Sequence, residues 1–272
     1  MISRPQIILF GDSITQLGFG EVYLSNSDII EGYTNYNQVG WASLLSAAYS
    51  RRADVLNRGF SGYNTRHAPL LSSISHTRKE KDNHNDANLL LFSTIFFVAN
   101  DASPPGMRQH VPLDEYEKNL ETIIEYIRDN PIYITQNTGD DLFLPILLIT
   151  PPPMASKIWE TFCIQTGRPV SLRCDQRGKE YSQVVQKISQ KYKCPVLDSF
   201  TLFGGDTDDE SIYQHYLYDG LHLNREGNLI LYQALMDLIQ KSLPNLAPMI
   251  DGEGICGTTG IPLQEKLWKE LC

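Results

Sequence analysis

The segment QIILFGDSIT, residues 6–15, decides the fold prediction, because an apolar run ends in a glycine that is followed at once by polar residues. Four further short apolar runs follow along the chain, at residues 54–57, 89–99, 144–149 and 194–198. Amphipathic segments lie between these runs. This alternation is typical of a parallel sheet that is covered by helices on both faces. The sequence therefore predicts an α/β fold with five strands and crossover helices.

Amphipathic periodicity places the longer helices. The segment PLDEYEKNLETIIEYI, residues 112–127, starts with a proline and two acidic residues and repeats its apolar residues at helical spacing. A second helix is predicted over about residues 176–191, and a third begins after the capping residue Asn224. The chain of 272 residues is long enough to form one full-sized core.

Three stretches do not fit this repeat, and we interpret them as candidate pocket walls or contact surfaces: residues 21–38, residues 154–174 and the segment that begins at residue 244. The predicted organisation is one domain over residues 1–243. A tail, residues 244–272, is expected to pack on this domain or on a partner subunit.

Composition and charge argue against several classes of protein. The formal net charge is -9, without a basic stripe, so nucleic acid is not an expected partner. The longest apolar run, residues 89–99, is much shorter than the ~20 residues of a membrane helix. The first residues lack the pattern of a signal peptide, and the five cysteines and the histidines lack metal-ligand spacing. We expect a cytoplasmic protein with reduced thiols, no membrane span and no metal.

Residues after a strand are the first candidates for chemistry, because ligands of open parallel sheets bind beyond the carboxyl ends of the strands. Ser13 lies at such a place, after Gly11, where a helix would begin. Asp219 and His222 stand three residues apart in YDGLHLN, on the loop before the last predicted helix. This spacing lets the carboxylate hold one imidazole nitrogen while the other nitrogen acts as a general base.

Two further residues supply hydrogen-bond donors at the same edge of the sheet. Gly59 follows the second predicted strand and can bring its backbone N–H close to a ligand. Asn100 follows the third predicted strand and carries a side-chain amide. These two donors are the parts of an oxyanion hole. Together with the nucleophile and the acid–base pair, they form a set of residues that predicts catalysis.

Four blocks of the chain, GDSIT, NRGF, AND and DGLH, resemble the conserved blocks of the SGNH/GDSL hydrolases. The segments NRGFSGYNTR, IFFVANDA and DGLHLN are closer still to the isoamyl acetate-hydrolysing esterase group, and the resemblance spans about residues 6–240. It implies a flavodoxin-like three-layer α/β/α sandwich that needs no cofactor. It also implies Ser13 as the nucleophile, His222 as the base and Asp219 as the residue that orients it.

The resemblance further implies that the oxyanion hole consists of Ser13, Gly59 and Asn100, and it suggests short acyl groups such as acetyl and a homodimer. One position departs from the pattern: the third block of the family reads G-x-N-D, and Val98 stands here in place of its glycine. Valine adopts positive φ only with strain, and it adds bulk beside the oxyanion hole. The β-branched run before it favours extended backbone up to Val98.

Asp12 and Asp101 flank the proposed catalytic residues, and we predict that they and Val98 belong to the substrate site.

Other motifs are weaker evidence for a function. GEGICG, residues 252–257, matches a dinucleotide fingerprint but has too little chain after it for the required fold unit. Ser61 lacks the second glycine of a nucleophile elbow, and neither His110 nor His215 has an acid three residues before it in a block that precedes a helix.

The leading hypothesis is hydrolysis of small carboxylic esters through an acyl-enzyme. The first alternative is acyl transfer to an alcohol or a sugar by the same triad, since only the second nucleophile differs. The second alternative is a flavodoxin-like binding module that has lost catalysis, for which Val98 is the argument.

Overall fold

The fold was analysed in a computed structural model that describes residues 4–20, 39–67, 90–128, 144–170, 175–207 and 209–248. Within these ranges, five strands form one sheet in the order β2-β1-β3-β4-β5. All neighbouring strands run parallel. The strands are β1 (Gln6–Gly11), β2 (Asp54–Gly59), β3 (Leu90–Phe96), β4 (Ile146–Ile149) and β5 (Val196–Leu197).

In the described parts of the chain, helices lie in the connections from β1 to β2, from β3 to β4 and from β4 to β5, as the crossover connections of a parallel sheet require. The helices are α1 (Ser13–Gln16), α2 (Trp41–Ala48), α3 (Leu113–Arg128), α4 (Ser156–Gln165), α5 (Asp175–Tyr192), α6 (Ser199–Leu202) and α7 (Arg225–Ser242). Short 3-10 turns lie at Leu17–Phe19, Thr65–His67, Glu210–Ile212, Gln214–Tyr216 and Pro244–Leu246. In the described ranges no helix has the length and hydropathy needed to cross a membrane.

The two faces of the sheet bury separate apolar clusters, because successive side chains of a strand point to opposite faces. Ile7 and Leu9 of β1 belong to the cluster that contains apolar residues of α2, α4 and α7. Ile8 and Phe10 belong to the other cluster, with residues of α3 and α5. The predicted three-layer α/β/α sandwich with a five-stranded parallel sheet is confirmed.

The direction of the strand order changes between β2 and β3, on either side of β1. Such a switch point opens a crevice at the carboxyl ends of the strands, where the connecting loops separate to opposite faces of the sheet. Ser13 follows β1, the central strand of this switch, directly after Gly11 and Asp12. The fold therefore places Ser13 at the position where a ligand would bind.

Two expectations about local structure are corrected. The third strand was predicted to continue through residue 99 but ends at Phe96, because the chain turns there into the loop of Asn100. The segment 154–174 was interpreted as irregular, yet it contains α4, whose buried Trp159, Phe162 and Cys163 have helical spacing. The triple proline before α4 masked this helical signal in the sequence.

The other unassigned segments are described only in small part. Residues 21–38 and 249–272, including the GEGICG motif, lie outside the described residues. At the start of the tail, Leu246 accepts a hydrogen bond from the hydroxyl of Tyr49 at 2.8 Å, and Ala247 is buried. These residues continue the packing of the domain beyond α7.

Candidate active site

The turn that carries Ser13 is held by side chains from distant parts of the chain. Asp12 caps α1, with its Oδ1 accepting the N–H of Ile14 at 3.0 Å. The indole N–H of Trp41 donates to the carbonyl of Ile14 at 3.2 Å, and Asn57 Nδ2 donates to the carbonyl of Thr15 at 2.7 Å. These bonds fix the backbone beneath the Ser13 hydroxyl.

Ser13, His222 and Asp219 form a continuous hydrogen-bonded row. His222 Nε2 lies 2.8 Å from Ser13 Oγ, and His222 Nδ1 lies 2.6 Å from Asp219 Oδ2. Asp219 is only 3 residues from His222 in the chain, whereas Ser13 is 209 residues away, so the fold brings the serine to the pair. The structure thus assembles the three residues that the sequence predicted as a triad. In this arrangement the imidazole can accept a proton from the serine hydroxyl.

The Asp219 carboxylate is held in place by the turn on which it lies. Its Oδ1 accepts the N–H groups of Leu221 at 2.9 Å and of His222 at 2.7 Å. Burial by itself would raise the pKa of Asp219, but the nearby His222 ring and these hydrogen bonds together lower the pKa below the usual range. The carboxylate therefore stays ionised and can stabilise a positive charge on the imidazole.

Gly220 allows this turn to pack tightly against the start of α4. Its φ is +88°, a conformation that favours glycine, and an added Cβ would lie 2.5 Å from the carbonyl oxygen of Ala155. The Gly220 carbonyl accepts the N–H of Ala155 at 2.8 Å. The segment 154–174 thus supports the Asp219–His222 turn through α4.

Two aromatic rings surround His222. Tyr218 is stacked on the imidazole with a centroid distance of 5.7 Å, and Trp159 presents an edge at 6.5 Å. Beside the ring is a small cleft, whose lining includes Ile14, Leu17, Leu223 and Asn228. Ser13 and His222 are only 7% and 9% exposed. Both side chains of this pair are therefore almost fully buried.

The structure does not support Gly59 as an oxyanion donor. Its backbone N–H is donated to Asn57 Oδ1 at 2.8 Å. A Cβ at Gly59 would lie 2.1 Å from the backbone nitrogen of Gln16, so the close approach of α1 explains why glycine stands here. Gly59 belongs to the packing of β2 against α1.

Gly62, which the sequence analysis did not single out, is a second candidate for a backbone donor. It lies on the same loop at φ +80°, is exposed, and its N–H makes no hydrogen bond within the described ranges. Gln109 Nε2 links the Gly62 carbonyl, at 3.1 Å, to Asn100 Oδ1, at 2.9 Å. The two proposed donors therefore lie next to each other. The sequence signal that could have identified Gly62 is the Ser61-Gly62 pair, which is typical of a turn and lies beyond the end of the strand.

The three residues predicted at the substrate site all lie below the protein surface. Asp12 and Val98 are each 1% exposed, and Asp101 is fully buried. Val98 packs in the cluster of α3 and α5 and is not among the non-glycine residues with positive φ, which in the described ranges are Arg51 and Lys193. Substrate contact for Asp12, Asp101 and Val98 stays a prediction, and their burial favours a supporting role.

Burial also changes the protonation of the two acids. It raises the pKa of Asp12 to about 6, against the opposing effect of the Ile14 N–H and the His222 ring. It raises the pKa of Asp101 to about 7, against the opposing effect of the hydrogen bonds from Thr65. Within the described ranges, Oδ2 of each carboxyl has no hydrogen-bond partner.

The residues that the sequence analysis rejected as an alternative base or nucleophile contact other groups. His110 Nδ1 contacts the carbonyl of Ser103 at 2.7 Å, and His215 lies against the ring of Tyr216. Ser61 is exposed, and its backbone N–H donates to Gln16 Oε1 at 2.6 Å. No cluster of potential metal ligands occurs among the residues that the structure describes.

Comparison with known proteins agrees with this geometry. The profile of the GDSL-like Lipase/Acylhydrolase family matches residues 9–230. A Mus musculus protein named isoamyl acetate-hydrolyzing esterase 1 homolog is 37% identical over 249 residues, which cover 90% of this chain and 86% of the mouse protein. The chain belongs to the GDSL-like lipase/acylhydrolase family, and the predicted assignment to this family of ester hydrolases is confirmed.

Solved structures resemble the chain in fold. The lipase/acylhydrolase from Enterococcus faecalis has a TM-score of 0.55 and 23% identity, and the match covers 91% of this chain and 100% of that structure. The acetylxylan esterase Axe2 from Geobacillus stearothermophilus has a TM-score of 0.53 and 23% identity, covering 87% of this chain and 94% of that structure.

Proposed function

Because the chain belongs to this family, we propose that it is a serine esterase that hydrolyses small carboxylic esters. The observation that carries the proposal is the row of hydrogen bonds from Ser13 Oγ through both nitrogens of His222 to Asp219, with distances of 2.8 and 2.6 Å. A serine that only caps a helix has no need of an oriented imidazole. The arrangement matches what activation of a hydroxyl nucleophile requires.

The reaction begins when Ser13 Oγ attacks the ester carbonyl carbon and His222 Nε2 takes the hydroxyl proton. The negative charge then forms on the carbonyl oxygen, which receives hydrogen bonds from the N–H groups of Ser13 and Gly62 and from Asn100 Nδ2. Asp219 stabilises the charged imidazole. His222 returns the proton to the departing alcohol, which leaves an acyl group on Ser13.

Water completes the cycle by the same steps. His222 Nε2 removes a proton from the water as its oxygen attacks the acyl carbon, and the oxyanion forms again at the same donors. Collapse of this intermediate breaks the bond to Ser13 Oγ, which recovers the proton from His222. The carboxylic acid is released, and the enzyme returns to its first state.

Short acyl groups such as acetyl suit the site best. The cleft beside His222 is small, and the ring of Tyr218 forms part of its wall. The mouse relative is named as a homolog of an isoamyl acetate-hydrolyzing esterase, and Axe2 is named as an acetylxylan esterase. We therefore propose acetate esters as the substrate class.

The test combines turnover with labelling of the serine. The purified chain is expected to hydrolyse p-nitrophenyl acetate and isoamyl acetate, and a fluorophosphonate probe is expected to modify Ser13, as located by peptide mass spectrometry. Ser13→Ala should lose both properties and remain folded. Ser61→Ala is the matched control, since Ser61 is exposed on a nearby loop, and it should keep both. Turnover by purified Ser13→Ala would contradict the mechanism.

A further inference from the structure

We propose three oxyanion donors, Ser13, Gly62 and Asn100, and the side chain of Gln109 contacts the last two of these residues. Its Nε2 donates to Asn100 Oδ1 at 2.9 Å and to the carbonyl of Gly62 at 3.1 Å. Asn100 Nδ2 in turn donates to the carbonyl of Tyr63 at 2.8 Å. The proposed mechanism uses Asn100 and Gly62 but gives Gln109 no part.

These contacts determine which end of the Asn100 amide faces which neighbour. The oxygen and the NH₂ group of a carboxamide have nearly the same shape, so the two orientations differ mainly in their hydrogen bonds. Rotation by half a turn would set Asn100 Nδ2 against Gln109 Nε2, two donors, and Asn100 Oδ1 against the Tyr63 carbonyl, two acceptors. Both hydrogen bonds would be lost, and the half-buried site would keep unpaired polar groups.

The observed orientation leaves one proton of the NH₂ group for a ligand. Asn100 Nδ2 carries two protons, and the Tyr63 carbonyl takes one of them. An oxyanion needs a donor that is already oriented before the charge develops, because reorientation during the reaction raises the barrier. A freely rotating Asn100 would present its oxygen to the oxyanion for part of the time, which would repel it.

Gly62 needs an external restraint for a different reason. Its φ of +80° is one of several conformations that glycine adopts at little cost. The bond from Gln109 Nε2 to its carbonyl restricts this freedom. One side-chain amide group thus restrains both donors.

Gln109 is itself held firmly enough to do this. The backbone carbonyl of Gln109 accepts a hydrogen bond from Asn64 Nδ2 at 2.8 Å. The next residue is fixed from both sides, since His110 Nδ1 contacts the Ser103 carbonyl at 2.7 Å and Arg66 Nη1 donates to the His110 carbonyl at 3.0 Å. The backbone that carries Gln109 is therefore anchored independently of its side chain.

We propose that Gln109 is a positioning residue of the oxyanion hole, which orients the Asn100 amide and restrains Gly62. It acts through these two residues and not by contact with the substrate. The inference rests on the proposed esterase function. It predicts that loss of the Gln109 amide slows the chemical step and leaves ground-state binding of the ester almost unchanged.

The first experiment measures kcat and KM for p-nitrophenyl acetate with Gln109→Leu and Gln109→Glu. Leucine removes the donor, and the glutamate carboxylate keeps the shape but can only accept, so it favours the reversed Asn100 amide. We expect kcat to fall about 10- to 100-fold in both variants, with KM changed less than about twofold. Arg108→Ala is the matched control on the same loop, since Arg108 is exposed, and it should keep the wild-type kcat.

The second experiment separates positioning from general stability. Asn100→Ala alone is expected to lower kcat by about 10²–10³ with little change in KM. Adding Gln109→Leu to Asn100→Ala should lower kcat by less than about threefold more, because the main group that Gln109 orients is already absent. Thermal unfolding of every variant shows whether the fold is kept, and Gln109→Glu replaces Gln109→Leu if leucine prevents folding.

An unchanged kcat in both Gln109 variants, or independent and multiplying losses in the double variant, would overturn the positioning role. Failure of the proposed function would look different. In that case the wild-type chain itself would neither hydrolyse the ester nor react at Ser13 with the fluorophosphonate probe.

Discussion

The backbone N–H of Gly59 is donated to Oδ1 of Asn57, two residues earlier in the chain, at 2.8 Å. The Nδ2 of the same Asn57 side chain donates to the carbonyl of Thr15 at 2.7 Å, so Asn57 ties the end of β2 to the turn that follows Ser13. Gly59 is therefore part of the scaffold beneath the nucleophile. The N–H of Gly62, three residues later, makes no hydrogen bond to another group of the described chain.

Replacing single backbone amides by esters tests this distinction. Incorporation of glycolic acid at position 62 removes the N–H that we propose as an oxyanion donor and keeps the rest of the residue. We expect kcat for p-nitrophenyl acetate to fall about 10- to 10³-fold, as for loss of one oxyanion donor, while KM and the melting temperature change little.

The same replacement at position 59 is the matched control. It removes the bond to Asn57 Oδ1, which should lower the free energy of unfolding by about 0.5–1.5 kcal/mol and leave kcat within about threefold of the wild type. The opposite pattern, with a large loss of kcat at position 59 and none at position 62, would restore Gly59 as the donor.

Asp219→Asn changes the tautomer of His222 without removing the contact between the two side chains. The Asn Oδ1 atom can still accept the N–H groups of Leu221 and His222, but its Nδ2 would donate to His222 Nδ1. The proton of the imidazole then lies on Nε2, which cannot accept a proton from Ser13.

We expect Asp219→Asn to lower kcat by roughly 10³–10⁴, less than His222→Ala or Ser13→Ala, which should abolish turnover. The measurement is kcat for p-nitrophenyl acetate at saturating concentration, with circular dichroism as the control for folding. A variant with wild-type kcat would show that Asp219 has only a structural role.

The fold was predictable from the sequence because its signals are local. The strand in QIILFG and the helix that begins at Leu113 are visible as apolar runs and as amphipathic spacing. The hydrogen-bonded row of Ser13, His222 and Asp219 was predictable because these residues lie in short blocks that resemble the conserved blocks of the family. Each of these predictions needed only a few neighbouring residues.

The rest of the site depends on contacts that no local pattern reveals. Gly59 ends β2 and Gly62 lies three residues later, and only the position of Asn57 Oδ1 shows which N–H is occupied. Gln109 reaches Gly62 across 47 positions of the chain, which neither composition nor periodicity indicates. Such contacts become visible only when the loops are placed together at the edge of the sheet.

The variant Val98→Gly tests whether valine, which departs from the family pattern at this position, lowers kcat. Its backbone is outside the positive-φ region, so valine causes no strain there, and its side chain is packed in the core. This geometry removes the argument for a binding module that has lost catalysis. We expect Val98→Gly to bring no gain in kcat.

The loss of stability in Val98→Gly should exceed the ~0.5–1 kcal/mol of backbone entropy that glycine adds to the unfolded chain. Val98 is 1% exposed, so the variant also loses a buried side chain and leaves a cavity. The free energy of unfolding should fall by about 2–4 kcal/mol in urea titration. A tenfold rise in kcat would show instead that valine restricts the site.

The buried carboxyl of Asp101 gives the stability of the protein an unusual dependence on pH. Burial raises its pKa from 3.8 to about 7 in the folded protein, against the opposing hydrogen bonds from Thr65. Between about pH 4 and pH 7 the folded state therefore holds a proton that the unfolded state has released. The free energy of unfolding must decrease as the pH rises through this window. Asp219, whose pKa is lowered, acts in the opposite direction and loses its stabilising effect as the pH falls below the usual range of an aspartate.

Asp101→Asn removes this titration and keeps an oxygen that can accept both hydrogen bonds from Thr65, which are 3.0 and 2.5 Å long. We expect the decrease in unfolding free energy between pH 5 and pH 8 to be about 2 kcal/mol smaller in Asp101→Asn than in the wild type. Urea titrations at intervals across this range measure the difference. Asp237→Asn, at an exposed position of α7, is the matched control and should follow the wild-type curve. Parallel curves for Asp101→Asn and the wild type would show that Asp101 is already ionised throughout, and that its site is more polar than its burial indicates.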